Sequence, residues 1–187
     1  MTPQQLLAPT YLQMLAALSQ WLDKAAAQTA QGAESLMSAR LAPDMLPLST
    51  QVRFACVQAQ EGMFRLAGKD FPPSVDRLLE EGRAAGEHPG TLADAQTCIA
   101  ETLAIVRAMA EETAAADDAS PIAHALPMGL IFDFTAEQYA RDWAVAQFYF
   151  HVMTAYAILR NQGVALGKGD YVTHLFPYAR PGTMPGQ

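Results

Sequence analysis

The sequence predicts an all-α protein, a four-helix bundle with a small β-hairpin ahead of its last helix. Three observations predict it. Four stretches carry apolar residues at alternating steps of four and three, the spacing that lines one face of a helix. Threonines suited to capping stand in front of three of them, at Thr2, Thr91 and Thr135. The chain has 187 residues, 51% hydrophobic and 17% charged, which suffices for one domain with a real core and lies far from the composition of disordered segments.

Thr2-Pro3-Gln4-Gln5 joins an N-cap, a proline at the first helical position and a glutamine three residues after the cap. The first helix follows, with Leu7, Tyr11, Met14, Leu18, Trp21 and Ala25 on one seam, and is expected to end near Gly32. Glu34 to Arg40 reads as a short helical turn, and the two prolines of Leu41-Ala42-Pro43-Asp44-Met45-Leu46-Pro47 make the next segment a packed connector. The second helix is expected from about Leu48 to Ala67, with Val52, Ala55, Ala59, Met63 and Leu66 inward. Phe71-Pro72-Pro73 stops it, Ser74 to Leu79 reads as a short capped helix, and Gly86 to Gly90 is a break before Thr91. Leu92, Ala95, Ile99, Thr102, Val106 and Met109 form the third seam.

Ala114 to Ser120 is small, acidic and expected as a solvated loop. Ile122 to Leu126 and Leu130 to Phe134 alternate around Pro127-Met128-Gly129, the pattern of a hairpin. Thr135-Ala136-Glu137-Gln138 then opens the fourth helix, which runs through Tyr139, Trp143, Phe150 and Tyr156 to Gly163. Residues 1–175 read as one domain and 176–187 as an irregular tail, frayed from Pro181. Trp21 and Phe150 are expected in the core, while Phe148, Phe150, Met153 and Trp143 give the fourth helix more apolar surface than three neighbours cover, which points to self-association through it or the first helix.

Lys and Arg number 12 against 19 Asp and Glu, and a net charge of -7 disfavours binding to nucleic acid, whose affinity rests on neutralised phosphates. Cys56 and Cys98 share no metal or redox spacing and read as buried free thiols. The N-terminus lacks the basic and apolar regions of a secretory signal. The apolar run Ala144 to Leu159 is broken by Gln147, His151 and Thr154 and falls short of the ~20 residues of a membrane span. A cytoplasmic protein without membrane contact is expected.

Polar residues on the apolar fourth helix mark candidate sites. Gln147, His151 and Thr154 fall on one stripe, and Tyr156 and Arg160 on roughly the opposite side. On the second helix Gln51, Gln58 and Arg65 recur along one side, facing either water or that stripe. Two readings of His151 stand: a semi-buried histidine satisfied by Gln51 or a carbonyl, or a ligand-binding group. No HxxxH, HxxE or HxxH pair supports a metal, and no serine or cysteine is tied to a base. Arg40 and Asp44 flank the connector and are placed to pair with each other or cap helix ends; Arg160 suits the negative end of the helix dipole, with Tyr156 one turn before it. Gly167-Lys168-Gly169 reads as a turn that Asp170 pins.

Three stretches together resemble a known family: Ala39-Arg40-Leu41-Ala42-Pro43-Asp44-Met45 with Gln51, then Phe148 to Arg160, then Gly163 to Tyr171. They are similar to the bacterial domain of unknown function nineteen ninety-three, placed beside the DinB/YfiT-like bundles, over Leu6 to about Leu175. The resemblance implies an up-down-down-up bundle, often homodimeric, in a superfamily where many members hold a divalent metal with three histidines and some use it for thiol-dependent transfer or isomerisation. Here Gln51 stands near the place of the second-helix histidine, and Ala155 or Gln147 where a second imidazole of the fourth helix belongs.

The expected function is therefore that of a metal-free small-molecule-binding bundle without a cofactor, its pocket near the fourth helix and the Arg40 to Asp44 connector. A metal-dependent thiol transferase or isomerase, with zinc or nickel held through His151, is the first alternative. A homodimeric interaction module without a ligand is the second.

Overall fold

A computed structural model describes residues 2–29, 33–112 and 117–183. Helix α1 spans Pro3–Gln28 and opens on the expected capping box, in which the Thr2 hydroxyl accepts from the Gln5 amide while the Gln5 side chain accepts from that of Thr2. Its whole expected seam is buried. The expected end near Gly32 and the start of the acidic loop at Ala114 lie outside the described residues. A 3-10 turn, Ala33–Ser38, leads into the proline connector, and α2 spans Leu48–Leu66 with its predicted inward residues buried.

Helix α3, Pro73–Ala84, is longer than the sequence suggests and lacks the expected serine cap, because the Ser74 hydroxyl donates instead to Gln60 Oε1 at 2.6 Å. α3 packs along α2 and returns the chain toward the end where α2 began. With a length of roughly 18 Å, it lets α4, Leu92–Glu111, run in the same direction as α2 and gives the up-down-down-up order. α4 carries its seam as predicted and begins with a Thr91–Asp94 capping box.

Strands β1 (Pro121–Ala125) and β2 (Ile131–Thr135) form the hairpin, antiparallel with Ala123 opposite Asp133. Gly129 sits at φ 84° in the turn, the left-handed region that only glycine enters freely. The fourth helix starts at the Thr135 cap as α5 (Ala136–Gln138), passes through a π-helical segment, Tyr139–Ala144, and continues as α6 (Val145–Asn161). The π segment is a correction to the regular helix expected from the cap onward: the Val145 amide reaches back to the Ala140 carbonyl, which inserts one residue into the turn.

α6 packs on α2 and α1, and α4 packs on the same two helices, so α1, α4, α2 and α6 form a ring around the core. Trp21, Tyr11, Tyr139 and Phe148 are its largest fully buried side chains. Phe150 is a second correction, since it is 60% exposed. The buried face of α6 runs through Phe148, Val152, Ala155 and Leu159, and a residue two places after Phe148 is turned about 200° round the helix. After α6 the chain enters α7, Lys168–Tyr171, where a turn was expected, and a 3-10 turn, Thr173–Tyr178, that crosses the expected boundary at 175. Asp170 does pin this segment: its carboxylate accepts from the Gly167 amide at 2.8 Å and from Lys24 of α1 at 2.9 Å. Among the described residues no helix is long and apolar enough to cross a membrane.

Candidate functional site

The prolines of the connector fold it back over the start of α2, where the Leu48 amide donates to the Ala39 carbonyl at 2.9 Å. Arg40 reinforces the fold, because its Nη1 donates to the carbonyl of Met45. The neighbouring carbonyl, that of Leu46, is thereby presented to the first turn of α2, and the Gln51 Nε2 amide donates to it at 3.2 Å. Gln51 is 3% exposed, and its Oε1 faces across to α6, where it lies 2.9 Å from His151 Nδ1.

This chain of contacts sets the state of the imidazole. Because the Gln51 amide nitrogen is spent on a carbonyl, Oε1 is its acceptor end, and His151 must donate to it from Nδ1. A neutral ring protonated at Nδ1 carries its free lone pair on Nε2. Burial alone pushes the His151 pKa down to about 4, so the ring is neutral near pH 7. Two aromatic edges bracket it, Phe54 at 5.4 Å and 83° and Phe150 at 5.3 Å and 84°. Phe54 owes its place to Gly82 of α3, where a Cβ would stand 2.4 Å from the phenyl ring. The result is a fixed, uncharged hydrogen-bond acceptor between two rings.

The other predicted residues divide. Gln147, one turn before His151, is half-buried and makes no side-chain hydrogen bond among the described residues. Asp44 is exposed and does not pair with Arg40, whose guanidinium serves the Met45 carbonyl instead. Tyr156 belongs to a different neighbourhood, edge-on to Trp21 at 5.2 Å, and Arg160 is exposed at the end of α6. The structure thus brings together His151, Gln51 and Arg40, and leaves Tyr156 and Arg160 apart.

The donor set does not fit the three-histidine metal centre of the superfamily. Among the described residues no group of three or more His, Cys, Asp or Glu side chains is placed to share a cation. Gln51 uses its oxygen on His151, and Ala155, fully buried, has nothing to offer. Burial pushes the Cys56 thiol up to about 12 and raises that of Cys98, which keeps both protonated.

Sequence reasoning missed a second polar group. His124 lies 5% exposed on the inward face of β1, with Trp143 4.4 Å and Tyr139 5.6 Å away between ring centroids, and neither ring nitrogen has a partner among the described residues. Its pKa is pushed down to about 4, first by burial and then by the charge of Arg65. The signal was the strand alternation, which sets His124 on the same face as Ile122.

A family model described as a domain of unknown function, DUF1993, matches residues 4–172. The chain is also similar to a crystal structure of a DinB family member protein from Shewanella denitrificans at 1.83 Å resolution, with 29% identity and a TM-score of 0.69 over 97% of this chain and 95% of that one. Among curated proteins there is no match.

Proposed function

The chain belongs to the DUF1993 family, and on that premise we propose that it is a metal-free small-molecule-binding bundle whose ligand is met by Nε2 of His151. The observation that carries this reading is the Gln51 contact, which orients the imidazole with Nδ1 as the donor, while burial keeps the ring neutral and so leaves the lone pair on Nε2. Phe54 and Phe150 on either side of it favour an apolar molecule with one N–H or O–H donor. Arg40 acts at one remove by holding the connector carbonyls.

Phenol is a suitable probe, having one donor on a flat ring. Titrated into the full chain, it is expected to move the His151 Nε2 resonance and the backbone amides of Gln51 and Phe150, and the amide shifts are expected to vanish in His151→Gln. Stoichiometric zinc or nickel surviving dialysis of protein purified without an affinity tag would overturn the metal-free reading. So would a phenol response unchanged in the variant.

The second reading, a homodimeric module, has one feature in its favour: Phe150 at 60% and Met153 at 38% exposure form an apolar surface on α6. A second copy covering it gives a particle of twice 20.2 kDa by light scattering, reduced to the monomer by Phe150→Glu. A strict monomer at micromolar concentration removes this reading.

A further inference from the structure

Arg65 stands near the end of α2, about 21 Å along the helix axis from Gln51. Its guanidinium lies 4.9 Å from the centre of the Phe71 ring and 5.8 Å from that of Tyr139. Unlike Arg53, Arg77 and Arg141, each held by a carboxylate, half-buried Arg65 makes no ion pair among the described residues, and its buried Nε has no partner. Glu61, one turn earlier, feels the charge of Arg65 but does not bridge it. A half-buried cation stacked on rings and lacking a bound anion is an incomplete arrangement.

Beside it opens a cavity of about 360 Å³ between the end of α2 and strand β1, walled by Arg65, Lys69, Asp70, Phe71, Pro121 and Ile122. Lys69 is engaged by Glu112, which leaves Arg65 as the cation of this wall without an ion pair, although the carboxylate of Asp70 lies in the same wall. Behind Ile122, on the same face of β1, lies His124 with both ring nitrogens unpartnered.

We propose that this cavity is a second binding site, separate from His151, for a small planar carboxylate. The carboxylate pairs with the flat fork of Arg65, and the apolar body lies against Phe71, Pro121 and Ile122. One unpaired guanidinium with Asp70 and Glu61 nearby suits a single negative charge better than a phosphate dianion. The volume admits a molecule of benzoate size with room to spare. Three groups face His124, namely Arg65 from α2 and Tyr139 and Trp143 from the fourth helix, so an anion on Arg65 weakens the one charge that acts on that ring.

The test titrates benzoate into the full chain, with benzylamine as a cation of the same shape, and follows backbone amides and histidine rings by NMR. Benzoate is expected at pH 7 to shift the backbone amides of Phe71, Ile122 and Ala123 saturably, with benzylamine inert. Arg65→Lys is expected to weaken benzoate at least tenfold, and His151→Gln to leave it unchanged, which separates this site from the first. Should Arg65→Lys unfold, Ala123→Trp, filling the cavity from an exposed strand position, is expected to block binding while keeping the guanidinium. Equal shifts from benzylamine, no saturation by benzoate, or full affinity in either folded variant would overturn the proposal.

Discussion

His151 of α6 donates from Nδ1 to Gln51 Oε1 of α2 at 2.9 Å, and this contact ties the last long helix to the connector through the Leu46 carbonyl. It satisfies a nearly buried amide and orients a neutral imidazole at once. The structural and ligand-binding readings of His151 are therefore compatible: one nitrogen holds the fold and the other keeps its lone pair.

Removing one partner of this pair strands the other. His151→Ala and Gln51→Ala are each expected to cost about 1–3 kcal/mol, and the double variant less than their sum, because the orphaned group disappears with its partner. His151→Gln is expected to retain much of the stability by replacing Nδ1–H with an amide N–H. Urea denaturation of the four variants checks this, and additive losses would show that the contact contributes nothing.

Acid is expected to destabilise the protein through its buried histidines. His151 and His124 both titrate near 4 when folded, below the ordinary histidine value of 6.5, so between those limits the unfolded chain binds more protons than the folded one. Their stabilising contribution is fully present above pH 6.5 and is lost as pH falls from there toward 4. NMR titration checks the midpoints directly, and values near 6.5 for both rings would contradict it.

Trp21 and Phe150 are expected to behave oppositely. Trp21 is 1% exposed, packs on Tyr156 and donates its indole N–H to the Asp170 carbonyl at 3.2 Å, so truncation to alanine is expected to cost roughly 3–5 kcal/mol. Phe150→Ala, at an exposed position, is expected to stay within about 0.5 kcal/mol for the monomer. Thermal melting of both at low concentration decides it; a large loss from Phe150→Ala would mean that a second copy buries the ring.

Native Cys56 and Cys98 are expected to resist iodoacetamide at pH 7.5, since burial raises both thiols above their ordinary value. Both should react fully in denaturant. Rapid alkylation of the folded protein, read by mass spectrometry, would reopen thiol chemistry.

The sequence by itself determined the helices, their seams, the capping boxes and the hairpin, because these depend on residues within one or two turns of each other. Thr2 and Gln5, or Ile122 and His124, carry their geometry in their spacing. It also isolated His151, since a polar residue on an apolar helix stands out without a structure. Tertiary structure decided what these residues meet. The choice of Gln51 to face α6, the turning of Phe150 outward and of Tyr156 toward Trp21 depend on helix rotation, which the π segment at Tyr139–Ala144 shifts and no periodicity records. The Arg65 cavity exists only where the end of α2 meets β1, residues far apart in the chain, and such a meeting is set by packing, the one interaction that a linear pattern does not carry.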